Sequence, residues 1–197
     1  MIIRQYKPND FDQLAIVYQS AFAEPPWDEY MKCVFCNENY GIKEAYQNPV
    51  ECKKCGNPLA LIEFWSKKEI KADLDFAFSQ KKPIVIVAEK DGLLIGTVWG
   101  YILPIEKFPF LNSIISQNSN YIDEIAIHRS HRRKGIGEAL GKEYLKRAIQ
   151  NGDDELVLRT DRNNEASMGL FKKLGFENTS ISDPQYPLRL YLRKKLK

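Results

Sequence analysis

No stretch of this sequence stays apolar for the roughly 18 residues that a bilayer-crossing helix needs, so nothing in it spells a membrane span. The opening residues, Met1-Ile2-Ile3-Arg4-Gln5-Tyr6-Lys7-Pro8, lack the basic-then-apolar layout of a secretory signal, which sets the expectation of a cytoplasmic protein with no membrane partner. A surplus of one charge is missing too. Lys and Arg number 29 against 26 Asp and Glu, a net +3. A dedicated nucleic-acid binder rests on a strong positive excess, so no nucleic-acid partner is expected. Histidine is scarce, with only His128 and His131, and no Ser, Cys and His constellation of the kind that makes a covalent nucleophile stands out. Internal repeats and low-complexity tracts are absent. What remains is a balanced composition, 44% hydrophobic and 28% charged over 197 residues, enough for one packed domain or a domain with a small module.

Cysteine is confined to four positions. Cys33, Cys36, Cys52 and Cys55 form two C-x-x-C pairs with 15 residues between them. Each pair sets two thiolates on one tight turn, and four thiolates complete the tetrahedron that Zn²⁺ accepts. Gly56 follows the second pair, where the backbone must turn sharply. Two disulfides or a redox dithiol are the rival readings; a reducing cytosol disfavours the first, and the second needs only one pair. Neither histidine has ligand-like spacing to the cysteines. A structural zinc site is therefore expected, in a module inserted over residues 28–59, where periodicity vanishes and the segment is too short to bury a core without its ion.

The remainder reads as alternating elements. A strand at 2–6 precedes a helix marked by Phe11, Leu14, Ala15, Tyr18, Ala21 and Phe22, with Asn9 as cap and Asp12 as the reciprocal carboxylate, ended by Pro25-Pro26. A second helix is expected over 62–78. Residues 84–88 and 93–99 flank Asp91-Gly92, a type I′ hairpin signal. A loop with Pro104, Pro109 and several Asn and Ser residues leads to a strand at 121–128. A helix at 137–150, a strand at 156–158, a helix at 164–174 stopped by Gly175 and a last strand at 188–193 complete the pattern. It predicts an α/β (α+β) fold, a mixed central sheet flanked by helices, as a single domain over 1–197 carrying the zinc-ribbon-like insert.

The local charge excess is informative because of what surrounds it. Arg129, Arg132, Arg133 and Lys134 fall within six residues, a run that alone reads as solvated surface. Here a strand, Tyr121-Ile122-Asp123-Glu124-Ile125-Ala126-Ile127-His128, enters the basic turn, and Gly135 and Gly137 open a helix. Unpaired N–H groups and the helix dipole favour an anion at such a start, and glycine lets the main chain approach a phosphate. The segment is neither a Walker loop nor the dinucleotide fingerprint. Arg132-x-x-Gly135-x-Gly137 resembles the pyrophosphate loop of the GNAT superfamily of acetyl-CoA-dependent N-acetyltransferases. Asn164-x-Ala166-x-x-x-Leu170-Phe171-x-x-Leu174-Gly175-Phe176 resembles the family's second coenzyme-A motif. Without the cysteine insert about 165 residues remain, a typical length for this family.

The resemblance implies specific roles. Main-chain groups of Ile125, Ala126 and Ile127 would hold the pantetheine arm and the thioester carbonyl. Arg132, Arg133, Lys134, Gly135, Ile136 and Gly137 would hold the pyrophosphate, and Asn164 and Phe171 would line the pantetheine. Transfer to an amine would be direct, so no nucleophile is required. A base is, because an ammonium of pKa near ~10 must first lose a proton. Asp123 is the expected base, on the argument that strand alternation gives it the face of Ile125, with Glu124 second. An exposed strand-edge carboxylate paired with a basic neighbour is the alternative. One departure stands out: many members place a proton-donating Tyr where this chain has Phe171, which leaves Tyr144, Tyr186, water or no acid at all.

The acceptor is an unidentified amine, on a small molecule or a protein. Pro25-Pro26-Trp27-Asp28-Glu29 and Phe108-Pro109-Phe110 fall where the family builds its acceptor pocket, and Trp27 with the carboxylates would frame a cation, unless Trp27 is only a lid over the core. The cysteine module would shape that pocket, dock a protein acceptor or stiffen a loop. An inactive coenzyme-A sensor and a knuckle-based interaction module are the other classes. Against the latter, residues 28–57 carry only Lys32, Lys43, Lys53 and Lys54 beside Asp28, Glu29, Glu38, Glu44 and Glu51. The oligomeric state is open, a homodimer included.

Overall fold

The computed structural model describes residues 1–111, 115–183 and 185–196; residues 112–114, in the Asn- and Ser-containing loop, lie outside the described residues. The order is β1 (Ile2–Gln5), α1 (Phe11–Phe22), β2 (Met31–Cys33), β3 (Asn39–Tyr40), α2 (Ile42–Tyr46), β4 (Leu61–Glu63), α3 (Lys67–Ser79), β5 (Ile84–Lys90), β6 (Leu93–Ile102), β7 (Ser119–Ile127), α4 (Ile136–Gln150), β8 (Glu155–Asp161), α5 (Glu165–Lys173), β9 (Glu177–Ser182) and β10 (Arg189–Lys195). Seven strands form one mixed sheet in the order β1-β5-β6-β7-β8-β10-β9, and β3-β2-β4 form a second, small sheet. Among the described residues, only β7 and β8 run parallel in the large sheet.

The large sheet is buried on both faces, as its apolar strands require. Val85, Val87 and Trp99 pack with Leu14, Tyr18, Ile70 and Leu74 of α1 and α3. Ile84, Ile86 and Val98 pack with Leu140, Tyr144 and Phe171 of α4 and α5 on the other face. The hairpin turn is as expected: Asp91 and Gly92 have φ of 53° and 79°, the left-handed pair that type I′ demands. No described helix is long and apolar enough to cross a membrane.

Three expectations need correction. The second helix begins at Lys67 rather than 62, because Ser66 and Glu69 close a reciprocal cap: Ser66 Oγ accepts from the Glu69 amide at 3.2 Å and the Glu69 carboxylate accepts from the Ser66 amide at 2.8 Å. Residues 61–63 instead pair with β2 in the small sheet. At α1 the N-cap is Asp10 rather than Asn9 and makes no side-chain cap bond, and neither does Asp12 serve as reciprocal carboxylate. The Asp10 carboxylate instead accepts from the Lys7 amide at 2.7 Å, closing a 3-10 turn at Pro8–Asp10 that precedes the helix. Finally, β9 was not foreseen; it pairs with β10 at the sheet edge.

Two irregularities set up the site. Trp99 faces Glu124 but its neighbour Gly100 faces Ile122, so Asp123 is the extra residue of a bulge in β7. Gly100 is required there, since a Cβ would collide with the Tyr121 carbonyl oxygen and the Tyr144 hydroxyl. Second, the β7–β8 pairing ends at Ile122 and Leu158. Beyond it β7 stays with β6 up to Ile127, while β8 stays with β10 up to Asp161. The two strands part, and a cleft opens in the middle of the sheet.

Candidate active site

The cleft holds a cavity of about 90 Å³ bordered by Asp123, Glu124 and Ile125 of β7, Arg159 and Thr160 of β8, and Asn164, Ser167 and Phe171 around α5, with Phe22 and Trp27 at the end of α1. Its β7 edge has free backbone groups. The His128 amide donates to the Ile95 carbonyl at 3.0 Å. Strand alternation therefore turns the amides of Ala126 and Glu124 toward β6 and those of Ile125 and Ile127 into the opening.

The bulge overturns the parity argument for Asp123. Ile122, Ile125 and Ile127 pack on the α4–α5 side of the sheet, whereas Tyr121 and Ala126 pack on the α1–α3 side. With one residue added, both acids fall on the α1–α3 side: Glu124 accepts from the Tyr18 hydroxyl at 3.3 Å, and Asp123 lies against Tyr101 and Trp99. Asp123 thus does not share the face of Ile125, and the two carboxylates are neighbours rather than alternatives. Burial, with repulsion from Asp73, raises Asp123 to about 6, although Tyr101, Trp99 and Arg159 oppose the shift. Glu124 is pushed well above the ordinary carboxylate range by burial and by the charge of Asp123. The indole Nε1 of Trp99, fully buried beside them, has no hydrogen-bond partner in bonding geometry.

At the far end of β7, a tight turn at Arg129–His131 precedes α4. Arg133 and Gly135 both have left-handed backbone, φ of 60° and 76°, which curls successive amides toward one side ahead of the unpaired first turn of α4. No atom would meet a Cβ at Gly135 within 4 Å, so glycine serves the φ angle and leaves an open concavity. Arg132 is placed differently from the expectation: its guanidinium donates to the Ala21 carbonyl and faces Glu24 at 3.7 Å, fastening the turn to the end of α1. Lys134 Nζ donates to the Ser130 carbonyl at 3.0 Å, so the amides and the side chain of Arg133 are what remain for an anion. His128 and His131 both contact the Ser130 hydroxyl at 2.9 Å and stay far from the cysteines in the chain.

Across the cleft, Asn164 caps α5, its Oδ1 accepting from the Ser167 amide at 3.0 Å, and Thr160 donates to Ser167 Oγ at 2.9 Å. Phe171 is buried against Phe176, ring centroids 5.2 Å apart. The two tyrosines considered as its substitutes are not at the cavity. Tyr144 is fully buried and donates to Asn120, and Tyr186 lies 54% exposed above Arg159. Sequence reasoning missed Tyr18, Trp99, Arg159 and Ser167. Arg159, a charge just after the buried run of Leu156, Val157 and Leu158, was the one with a visible signal.

The four cysteines converge, all Sγ atoms lying within 4.8 Å of one another. The two knuckles are the same turn used twice. Asn37 and Gly56 donate to the carbonyls of Cys33 and Cys52 at 2.9 Å each, and both are left-handed, φ of 58° and 69°. Sγ separations of 3.9 Å for Cys33–Cys55 and 3.6 Å for Cys36–Cys52 match the edge of about 3.8 Å that a tetrahedral ion with 2.3 Å Zn–S bonds requires. The donor set therefore fits Zn²⁺.

The model of the acetyltransferase (GNAT) family matches residues 42–176. N-acetyltransferase 8B of Homo sapiens is 25% identical over 160 residues, 81% of this chain and 54% of the human protein, so the chain spans about half the length of that relative. N-alpha-acetyltransferase 30 of Xenopus laevis is 38% identical over 56 residues, 28% of this chain and 20% of that protein. Among solved structures, yncA from Salmonella typhimurium with its cofactor acetyl-CoA superposes with a TM-score of 0.66 at 15% identity, covering 100% of this chain and 94% of that one. Ribosomal-protein-alanine N-acetyltransferase from Brucella melitensis gives 0.63 at 18% identity, with 100% of both chains covered.

Proposed function

The chain belongs to the GNAT family of acetyltransferases, and from that we propose that it transfers an acetyl group from acetyl-CoA directly to an amine. The observation that carries this is the parting of β7 and β8, which leaves free amides along one edge of a cleft and puts two perturbed carboxylates at its floor. Acetyl-CoA, when bound, supplies an activated thioester carbonyl. The chain's own part is to hold and to move a proton. The turn at 133–137 holds the pyrophosphate through its amides, with Arg133 adding charge. Ile125, Ile127, Asn164 and Phe171 line the arm, whereas Ala126, expected among them, turns its amide to β6 and its side chain into the α1–α3 core. Asp123, near 6 because of burial, is mostly ionised at pH 7 yet basic enough to take a proton from the ammonium, which suits a general base. Burial and the charge of Asp123 push Glu124 well above the ordinary carboxylate range, which disfavours two charges on the pair. Phe171 cannot return a proton; Ser167, whose oxygen already accepts from Thr160, presents its own hydroxyl hydrogen on the same wall. Residues 28–59 serve as a zinc-binding module within a single domain over 1–197, its thiolates suited to a reducing, cytoplasmic setting.

Direct transfer requires both substrates on the protein at once. Initial rates with acetyl-CoA varied at several amine concentrations should give intersecting reciprocal plots; parallel lines would mean an acetylated enzyme and would contradict the proposal.

A further inference from the structure

The cysteine module leaves the domain after α1 and returns before α3, and its two stems are tied together beside the carboxylates. On the outgoing stem the Glu29 amide donates to the Phe22 carbonyl at 2.8 Å. On the returning stem Trp65 Nε1 donates to the Glu29 carboxylate, also at 2.8 Å. The Trp65 ring stands edge-on to Tyr18 at 5.3 Å, and Tyr18 donates to Glu124. A contiguous path thus runs from the module through Glu29, Trp65 and Tyr18 to the catalytic acids.

The charge along this path is one-sided. Glu29, Asp73, Asp123 and Glu124 make no ion pair among the described residues, and burial holds all four above the ordinary carboxylate range. The charge of Glu29 reaches Glu124. The nearby cations offset this only in part: Arg189 acts on Glu29 while lying over the Trp27 ring at 4.7 Å, and Arg159 acts on Asp123 while facing Asp183 at 3.6 Å. One ammonium at Asp123 leaves Glu29, met only in part by Arg189, beside Phe22 and Trp65, whose faces attract a cation.

Resting on the acetyltransferase reading, we infer that Glu29, delivered by the stem of the cysteine module, selects an acceptor with a second positive charge, an aliphatic diamine or polyamine. The module is then a specificity element of the acceptor pocket.

Three acceptors of similar length separate the outcomes: pentylamine, cadaverine and δ-aminovalerate, whose far ends are neutral, positive and negative. The wild type should favour cadaverine over pentylamine in kcat/KM by about tenfold or more, mainly through KM. Glu29→Gln keeps an acceptor oxygen for Trp65 but loses the charge. It should erase that advantage while leaving the rate with pentylamine and the KM for acetyl-CoA unchanged. Equal losses on both amines would overturn the inference and mark Glu29 as structural. So would a preference for δ-aminovalerate, which would point to Arg159 and Arg189 instead. Turnover of the amines without discrimination sinks the inference alone. Absence of turnover together with absence of protection by acetyl-CoA against thermal unfolding sinks the acetyltransferase reading with it.

Discussion

Replacing Asp123 with Asn is expected to lower kcat/KM for the amine by about 10²–10⁴-fold while raising the melting temperature. The loss follows from removing the base. In the wild type, kcat/KM at fixed acetyl-CoA should rise with pH and level off above a limb near 6, because only ionised Asp123 accepts a proton; in the variant that limb should disappear. The gain in stability follows from the direction of the same shift. Asp123 holds its proton more tightly when folded than when unfolded, from 3.8 up to about 6. The native state therefore binds more protons across that window and loses stability as pH rises through it, the reverse of a salt-bridged carboxylate. At neutral pH the buried charge costs on the order of 3 kcal/mol. An amide of the same shape carries no such cost, so several degrees of stabilisation should appear in a thermal melt. A variant that is both inactive and less stable would mean that Asp123 holds the bulge together rather than serving as base.

Stripping the metal is the second large effect. Residues 28–59 contribute one small buried cluster, Cys33, Tyr40 and Cys52, too little to hold the β3-β2-β4 sheet alone. Structural zinc supplies apparent binding energies of about 10–16 kcal/mol in small thiolate modules. A strong chelator, or Cys52→Ser, should release about one zinc per chain by elemental analysis and change the emission of Trp27 and Trp65, which sit on or beside the stems. Acetyl-CoA binding should survive, because β7, β8, α4 and α5 build that cleft without the module. Protein refolded with zinc that retains four freely reacting thiols would contradict the assignment.

The sequence carried the chain order of the large fold because its signals are local. Asp91-Gly92 imposes its turn whatever surrounds it, and β5 is apolar from Ile84 to Ala88 since helices cover both faces. Alternation failed at Asp123 because a bulge adds one residue and resets the faces, an event decided by the partner strand. Its trace was present all the same: Gly100, in the interior of a strand otherwise rich in large residues, marks where another backbone comes close. The start of α3 was legible in Ser66-Lys67-Lys68-Glu69, a capping pattern that outweighs the apolar residues before it. The tie between Glu29 and Trp65 had no local signature at all. It joins positions 36 apart and exists only once the module has folded.

The central claim is that the parted strands and the turn before α4 bind acetyl-CoA. Thermal unfolding with and without acetyl-CoA, in the wild type and in Gly135→Glu, tests it most directly. Ligand at about 100 times its dissociation constant should stabilise the wild type by ~2.7 kcal/mol, a shift of several degrees. The shift should vanish in a variant that puts a carboxylate in the anion concavity and strains a left-handed position with φ of 76°. Zinc-loaded, folded wild type that shows no shift at millimolar acetyl-CoA, or a variant that shifts just as far, would contradict the account.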